Sequence, residues 1–309
     1  MSTVKGRFAP SPSGRMHLGN IFTALISWLS AKRQGGTWLL RIEDLDPQRS
    51  KREHAERICD DLLWLGLEWD EGGLDGRGDA GPYLQSARGD IYERMLARIK
   101  ETGLAYPCRC TRADLMATQA PHQSDGRAVY GGRCRPARLP APYPEGAPGA
   151  VRLSVPDRDF RFTDRLQGAQ SVNLAHESGD FVLRRADGAW SYQLAVVVDD
   201  ALMGVTEVVR GADLMLSVGQ QMYLRELLGF TEPAYMHLPL LCNGEGRRLS
   251  KRDSSLSMEA LRRDYTPESL TGHIAHIAGL IPEARPLAAA DLLSMPLSLP
   301  RSGELRVGC

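Results

Sequence analysis

Residues 4–20, VKGRFAPSPSGRMHLGN, are the part of the sequence that decides the fold. Val4 to Ala9 can form a short strand, and the Pro/Ser/Gly cluster at residues 10–14 breaks it as a loop. A helix is predicted from about residue 18 to 31, because the apolar residues there recur at helical spacing. The order of strand, loop and helix is typical of the first unit of a parallel sheet.

The segments that follow continue this pattern. Gly35-Gly36 ends the helix, and the apolar run TWLLRI at residues 37–42 predicts a buried strand. Asp46 as N-cap and Pro47 at the first helical position predict that the next helix begins there, with its end at Gly66. We therefore expect an α/β fold built on a parallel sheet.

Composition excludes several classes of protein. The 309 residues suggest roughly two domains at ~150 residues each. A hydrophobic content of 42% and a charged content of 25% are ordinary for a globular protein and exclude a wholly disordered or collagen-like chain. No apolar run approaches ~18 residues and no signal peptide opens the chain, so we expect a cytoplasmic protein without a membrane partner. Because 38 basic residues balance 38 acidic ones, any nucleic-acid binding must use a local patch.

Two short motifs are suited to nucleotide binding. His17-Leu-Gly-Asn20 opens the first helix, where free N–H groups favour phosphate; Gly19 would allow close approach, and His17 could donate to a phosphate oxygen. Arg248-Leu-Ser-Lys-Arg252 follows two glycines and could close over a triphosphate. Alone, each is better explained as a surface helix start or a solvated basic loop. Together, about 230 residues apart, they form a stronger signal.

Three of the six cysteines, Cys108, Cys110 and Cys134, fall within 27 positions. Zinc prefers four tetrahedral ligands, so this cluster predicts a metal site that lacks one ligand. From chemistry alone, His122 is the candidate for the fourth. Three reduced thiols without a metal remain the alternative. The surrounding stretch is rich in Gly, Pro and Arg and has little core of its own, which a structural metal would explain.

The two nucleotide motifs resemble the signatures of class I aminoacyl-tRNA synthetases, which bracket a split Rossmann fold. Further stretches across residues 5–255 resemble the glutamyl/glutaminyl branch: Arg7-Phe-Ala-Pro-Ser-Pro-Ser-Gly14, Arg41-Ile-Glu-Asp44, Ala195-Val-Val-Val-Asp-Asp200, Gly204-Val-Thr-Glu-Val-Val-Arg-Gly-Ala-Asp213 and His237-Leu-Pro-Leu240. The chain departs at Asn20, where many members have His, and at Arg248, where they have Lys. The resemblance implies that ATP binds His17, Gly19, Asn20, Arg248, Ser250 and Lys251, with His17 and Lys251 acting in catalysis.

The same resemblance implies a glutamate pocket, formed by Arg7, Ala9, Ser11, Glu43, Tyr192 and Arg210. In that family the two arginines meet the carboxylates, Glu43 meets the ammonium, and Tyr192 lines the pocket. The chemistry agrees, because an arginine can bind a carboxylate through two charge-assisted hydrogen bonds. Glutamine would leave the arginine charge unpaired and would be rejected.

The chain is most similar to the family of glutamyl-Q tRNA(Asp) synthetases, which are truncated relatives of the glutamyl-tRNA synthetases. Its Cys-x-Cys and Tyr-x-x-x-Cys pattern resembles their zinc site, which implies Tyr130, rather than His122, as the fourth ligand of one structural Zn²⁺. Only 58 residues follow Lys251, so we expect no anticodon-binding domain. The resemblance implies Mg²⁺ with ATP, activation of L-glutamate, transfer to the queuosine base of tRNA(Asp), and a monomer.

The resemblance also predicts a domain scheme. Residues 1–103 form the first half of a Rossmann domain, 104–150 a zinc-binding insertion, 151–245 the rest of the insertion and the second Rossmann half, and 246–309 the second-signature loop with a small helical subdomain. Three alternatives stay open: a minimal synthetase that charges the 3′ end of tRNA(Glu), a pantothenate-synthetase-like ligase, and a non-catalytic zinc-bearing RNA-binding module.

Overall fold

A computed structural model describes residues 3–111, 114, 129–242, 256–300 and 305–306. In this part of the chain the α-helices are α1 (Leu18–Arg33), α2 (Arg52–Trp64), α3 (Gly89–Glu101), α4 (Leu174–Glu177), α5 (Tyr192–Leu202), α6 (Ser217–Leu228), α7 (Met258–Asp264) and α8 (Pro267–Ile277). Short 3₁₀ turns lie at Gln85–Arg88, Ala212–Leu214 and Ala289–Ser294. None of the described helices is both long and apolar enough to cross a bilayer.

The described strands are β1 (Lys5–Phe8), β2 (Thr37–Leu40), β3 (Glu71–Gly72), β4 (Ala105–Cys108), β5 (Ala150–Leu153), β6 (Asp159–Asp164), β7 (Gly168–Asn173), β8 (Phe181–Arg184), β9 (Glu207–Gly211), β10 (Ala234–Leu238), β11 (Leu241–Cys242) and β12 (Leu305–Arg306). The predicted strand–helix–strand unit is present as β1, α1 and β2. This observation confirms the α/β class and the parallel pairing of its first two strands.

Two groups of parallel strands meet in the centre of the molecule. Strand β2 pairs in parallel with β1 and β3, and β10 pairs in parallel with β9 and β6. Strand β9 lies beside β1, where the Thr206 N–H donates to the Lys5 carbonyl at 2.9 Å. Parallel sheets of this kind place their ligand sites at the carboxyl ends of the strands.

The cores lie on either side of this sheet. Helix α1 is almost wholly buried between the sheet and the C-terminal helices, so Met258, Leu261 and Ile274 belong to the same apolar cluster as α1. A second cluster joins α3, α5 and α6 to the antiparallel sheet of β4, β5 and β8. The C-terminal helices therefore share the core that supports the start of α1.

The helix predicted to begin at Asp46 begins instead at Arg52, so that prediction is wrong. Residues 46–50 form a turn, in which the Ser50 N–H donates to the Asp46 carbonyl at 2.8 Å. The Lys51 N–H donates to the Pro12 carbonyl at 3.1 Å and ties the turn to the loop after β1. This tertiary bond outweighs the local helix-start signal.

Candidate active site and candidate metal centre

A cleft of about 660 Å³ opens at the carboxyl ends of β1, β9 and β10 and at the start of α1. Nine of the residues predicted for the ATP and glutamate sites line it: Arg7, Ala9, Ser11, His17, Gly19, Asn20, Glu43, Tyr192 and Arg210. The structure thus brings the predicted glutamate set and the described half of the ATP set together in one cavity, although their individual roles remain predictions. Arg248, Ser250, Lys251 and His122 lie outside the described residues.

The first signature begins α1 with a reciprocal cap. His17 Nδ1 accepts a hydrogen bond from the Gly19 N–H, and Asn20 Oδ1 accepts one from the His17 N–H, each at 3.1 Å. Asn20, which departs from the resembled pattern, therefore has a structural use as one half of a capping box. Because Nδ1 is an acceptor, a neutral His17 carries its proton on Nε2.

The described residues on either side of the second signature lie near the first signature. Leu241, just before residues 243–255, lines the cleft. Just after them, the Met258 N–H donates to the Met16 carbonyl at 2.9 Å, and His17 and Ser257 form an antiparallel bridge. Both flanks of this segment are thus anchored at the cleft.

Arg7 and Arg41 share a buried carboxylate on one wall of the cleft. Asp200 Oδ1 lies 2.7 Å from Arg41 Nη1 and 3.5 Å from Arg7 Nε. Burial would raise the pKa of Asp200, but Arg41 and Arg7 overcome it and hold that pKa below its ordinary value. Asp200 is consequently ionised and fixes both guanidinium groups.

Glu43 lies at the edge of this network. Its Oε1 accepts from Arg41 Nη2 at 3.1 Å. Burial raises the pKa of Glu43, an effect that Arg41 and then Arg7 oppose. A substrate ammonium beside Glu43 would add a further cation and favour its ionised form. Burial also raises the pKa of Tyr192, so its hydroxyl stays protonated and can donate.

Arg210 differs from Arg7 and Arg41 because its described partners are neutral. It is 4% exposed, and its Nε donates to His237 Nε2 at 3.0 Å while Nη2 donates to the Leu214 carbonyl at 3.3 Å. Among the described residues, Nη1 is buried without a hydrogen-bond partner. A buried guanidinium without a carboxylate is costly, so this side chain is suited to an anionic ligand.

The three clustered cysteines come together with Tyr130. Their sulfur atoms all lie within 4.8 Å of one another, and Cys110 and Cys134 are 3.5 Å apart. The Tyr130 hydroxyl lies 3.5 Å from the Cys108 sulfur and 3.8 Å from the Cys110 sulfur. Tetrahedral zinc with bonds of about 2.3 Å separates its sulfurs by about 3.8 Å, so the donor set and its spacing fit zinc.

Burial and hydrogen bonding shift the pKa values of two cysteines of this cluster in opposite directions. Burial opposes ionisation of Cys134, but hydrogen bonds from the Arg109 backbone and the Cys110 side chain lower its pKa to about 7. Burial raises the pKa of Cys110 to about 11. The Cys134 N–H also donates to the Tyr130 hydroxyl oxygen at 2.8 Å, which would stabilise that oxygen as a ligand.

Two glycines allow the insertion to close around the cluster. Gly179 has φ = +61° and lies so close to Tyr130 that a Cβ would sit 2.4 Å from the Tyr130 carbonyl oxygen. Gly149 has φ = +109°, and its Cβ would sit 2.5 Å from the Cys108 carbonyl oxygen. Only glycine satisfies both the backbone angle and the space at these positions.

Comparison with known proteins agrees with this geometry. The family model described as "tRNA synthetases class I (E and Q), catalytic domain" matches residues 3–286. A glutamyl-Q tRNA(Asp) synthetase of Nitratidesulfovibrio vulgaris is 47% identical over 297 residues, which cover 94% of this chain and 91% of that protein. The chain belongs to the glutamyl-Q tRNA(Asp) synthetase family.

Further relatives support this membership. A glutamyl-Q tRNA(Asp) synthetase of Symbiobacterium thermophilum is 48% identical, over 93% of this chain and 90% of that protein. The crystal structure of a glutamate tRNA ligase from Elizabethkingia meningosepticum, in complex with its amino acid, superimposes with a TM-score of 0.83 at 30% identity. The superposition covers 99% of this chain and 67% of the other. The predicted class I synthetase fold and the ligase class are thereby confirmed.

Sequence reasoning missed several residues that organise this synthetase cleft. Arg41 and Asp200 were recognised only as parts of motifs, and no role was predicted for them. Asp164 and His237, which contact each other at 2.7 Å, were likewise not assigned. A charged residue inside an apolar run, such as Arg41 in TWLLRI, was the available signal, because buried charges are rare without a partner.

Proposed function

We propose that this synthetase activates L-glutamate with ATP and transfers the glutamyl group to the queuosine base in the anticodon loop of tRNA(Asp). Arg210 carries the glutamate half of the proposal, because it lines the cleft and has no carboxylate within ion-pair distance in the described chain. Arg7, in contrast, already has Asp200. Glutamate brings one more carboxylate than ammonium, which suits a cleft with an unpaired arginine.

The same arginine accounts for selection against glutamine. A neutral amide in place of the side-chain carboxylate would leave the buried guanidinium unpaired, and sites of this kind reject such analogues strongly. Glu43 and the Tyr192 hydroxyl also line the cleft and are polar groups available for the substrate ammonium and the remaining oxygens. We therefore propose Arg7, Ala9, Ser11, Glu43, Tyr192 and Arg210 as the glutamate site.

Activation forms one bond and breaks another at the α-phosphate of ATP. An oxygen of the glutamate α-carboxylate attacks the α-phosphorus, the bond to the β-phosphate bridging oxygen breaks, and pyrophosphate leaves. We propose that His17 Nε2 and the start of α1, with Gly19 and Asn20, meet the developing charge, together with Arg248, Ser250 and Lys251. Such preorganised donors account for much of the rate in transfers of this kind. When bound with ATP, Mg²⁺ would shield the charge of its phosphates.

Transfer then uses the adenylate as the acyl donor. A hydroxyl of the queuosine cyclopentene ring attacks the acyl carbon, an ester forms, and AMP leaves while the hydroxyl proton passes to solvent. The choice of queuosine-containing tRNA(Asp) is supported by the names of relatives that the chain matches over about 90% of their length. We further propose that the enzyme works as a monomer in the cytoplasm.

We propose one structural Zn²⁺ held by Cys108, Cys110, Cys134 and Tyr130. The support is the sulfur-rich donor set and its spacing. A metal here would cross-link residues 108–110 to residues 130–134, where the local apolar cluster is small and consists of Tyr106, Cys108 and Tyr130.

Charging with labelled glutamate tests the proposal. Queuosine-containing tRNA(Asp), unmodified tRNA(Asp) and tRNA(Glu) are compared, next to glutamate-dependent ATP–pyrophosphate exchange without tRNA. We expect exchange with glutamate but not glutamine, and labelling of the queuosine-containing tRNA alone. Labelling of tRNA(Glu) would instead identify a minimal glutamyl-tRNA synthetase. Absence of exchange would favour another ligase or a non-catalytic RNA-binding protein.

A further inference from the structure

A buried histidine and aspartate lie directly behind Arg210. His237 occupies β10 opposite Arg210 of β9 in the parallel pairing, and Asp164 ends the neighbouring strand β6. His237 Nδ1 lies 2.7 Å from Asp164 Oδ2, and His237 Nε2 accepts from Arg210 Nε at 3.0 Å. The three residues are at most 4% exposed, so they form a buried chain of contacts that reaches the cleft at Arg210.

Hydrogen bonds set the proton positions in this chain. Asp164 Oδ1 accepts from the backbone N–H groups of Leu166 and Gln167 at 2.9 Å, which holds the carboxylate in place. An ionised carboxylate is an acceptor only, so His237 Nδ1 must carry the proton that is donated to it. His237 Nε2 is then left with its lone pair directed at the Arg210 guanidinium.

The neutral form of His237 is favoured by its surroundings. Burial lowers the pKa of His237; the hydrogen bond to Asp164 opposes this effect, and Arg210 adds to it. Burial would raise the pKa of Asp164, but its hydrogen bonds from His237 and the backbone hold that pKa below its ordinary value. The pair therefore consists of a carboxylate and an uncharged imidazole.

We propose that His237, oriented by Asp164, positions Arg210 for the substrate carboxylate and holds it without neutralising its charge. A carboxylate at the position of His237 would fix the guanidinium equally well but would compete with glutamate. A neutral acceptor fixes Nε and leaves the charge of Arg210 for the ligand. This inference rests on the glutamate activity proposed above, and it makes His237 and Asp164 positioning residues with no direct substrate contact.

The tautomer of His237 leads to the most specific prediction of this proposal. Asp164→Asn would replace Oδ2 by an amide that can present N–H groups to His237 Nδ1. The imidazole would then favour the tautomer with its proton on Nε2, and that proton would face Arg210 Nε–H. Two donors would oppose each other, so Arg210 would lose its fixed position. Changing an orienting aspartate to asparagine has this effect on a catalytic histidine in serine proteases.

The test measures glutamate-dependent ATP–pyrophosphate exchange, with KM determined separately for glutamate and ATP. His237→Leu keeps an apolar volume but lacks the acceptor, whereas the amide of His237→Gln can accept from Arg210. We expect His237→Leu and Asp164→Asn to raise the KM for glutamate by about tenfold or more, the size of a lost hydrogen bond to a charged group. The KM for ATP should change less than about twofold, and His237→Gln should restore most of the loss.

A double variant separates positioning from folding. In the His237→Gln background there is no tautomer to invert, so adding Asp164→Asn should change the KM for glutamate by less than about threefold, within ordinary non-additivity. His176→Leu and Asp187→Asn, both at exposed side chains, serve as matched controls. If His237→Leu does not fold, the comparison of Asp164→Asn with the double variant still decides the question.

Two outcomes would overturn the inference. One is an unchanged KM for glutamate in both Asp164→Asn and His237→Leu, and the other is an equal rise in the KM for glutamate and ATP. The wild-type enzyme in the same assay separates this result from a failure of the proposed function. If the wild type shows no exchange with glutamate, the proposed activity fails; if it does, the variants test the positioning alone.

Discussion

The cleft and the cysteine cluster bring ionisable side chains together in opposite ways. In the cleft, Asp200 lies between Arg7 and Arg41, so the chain itself compensates these two buried charges and leaves Arg210 for the ligand. In the cluster, Cys108, Cys110, Cys134 and Tyr130 all present potential anions to one another. Deprotonated thiols at such distances repel, and a cation is needed to hold them. The comparison indicates a preformed substrate cleft and a cluster that depends on its metal.

The apolar packing around the cleft also differs from that around the cysteine cluster. Helix α1 and the central strands surround the cleft with the larger apolar cluster. The cysteine cluster has only three buried residues in its own described cluster, although buried Asp180 ties Tyr106 and Arg135 together beside it. Loss of one polar contact should therefore alter function in the cleft and stability in the cluster.

The largest effect is expected from removing the unpaired charge of the cleft. Arg210→Met retains length and apolar contact but leaves a bound carboxylate without its partner, which costs about 3–5 kcal/mol in buried pairs. We expect kcat/KM for glutamate in ATP–pyrophosphate exchange to fall by at least about 10²-fold. Arg161→Met, at a position 79% exposed, is the matched control. A loss below about tenfold would argue that Arg210 does not bind the substrate.

The second prediction separates the two roles of His17, which caps the start of α1 and is proposed to donate a hydrogen bond to phosphate. His17→Asn can retain the N-cap but lacks the Nε2 donor, whereas His17→Ala lacks both. Both should reduce the exchange rate by about 10²–10³-fold, as expected for one transition-state donor. Only the alanine variant should also lose about 1 kcal/mol of unfolding free energy, measured in urea. Equal stability of the two variants would contradict the capping role.

The third change tests the cluster side of the comparison. Cys110→Ser, or treatment with a chelator, should release zinc, measured by a colorimetric indicator, and lower the unfolding temperature. At most about 2–4 °C is expected for each kcal/mol lost, because that range applies to domains of about 150–250 residues and this chain is longer. Exchange of pyrophosphate should fall less than about threefold, well below the effect of Arg210→Met. Cys59→Ser lies outside the cluster and should leave the zinc content unchanged, which controls for the loss of a thiol. A zinc-free wild-type protein that melts unchanged would show that the cluster needs no metal.

The smallest effect concerns pH. Burial lowers the folded-state pKa of His237 below its ordinary 6.5, so its contribution to stability is complete above pH 6.5 and is lost as pH falls toward the lowered value. The charged groups around it are Asp164 of β6, Arg210 of β9 and Arg7 of β1. His237→Gln should remove at most about 1.4 kcal/mol per pH unit of this dependence. Urea unfolding of the wild type and of His237→Gln at pH 7.5 and pH 5.5 measures their free energies of unfolding. If this free energy changes equally between the two pH values in both proteins, the assignment is refuted.

Much of the frame could be predicted from the sequence because it depends on local patterns. The helical spacing over residues 18–31 predicted α1, and the apolar run 37–42 predicted β2. The helix predicted at Asp46 failed because a single tertiary hydrogen bond, from Lys51 to Pro12, outweighed a local start signal. Local propensity does not contain such long-range contacts.

In the candidate site, too, local motifs could be predicted from the sequence, whereas long-range contacts could not. Arg7, Glu43, Tyr192 and Arg210 were found through motifs, and the structure brings all four to one cleft. The pairing of His237 with Arg210 joins β10 to β9, and its partner Asp164 comes from β6. Sequence spacing does not predict a contact between two residues that are 73 positions apart. The domain boundaries that the resemblance implies remain predictions.

The hydrogen bond from Met258 to Met16 has a consequence for how the protein is made. The two residues are separated by 242 positions, and the bond fixes the chain next to His17. At about 5–20 residues per second, a ribosome needs roughly 12–50 s to add the second partner after the first. Throughout that interval the start of α1 lacks the C-terminal helices that later bury it. Nascent chains shorter than about 260 residues should therefore depend on chaperones that cover apolar surface.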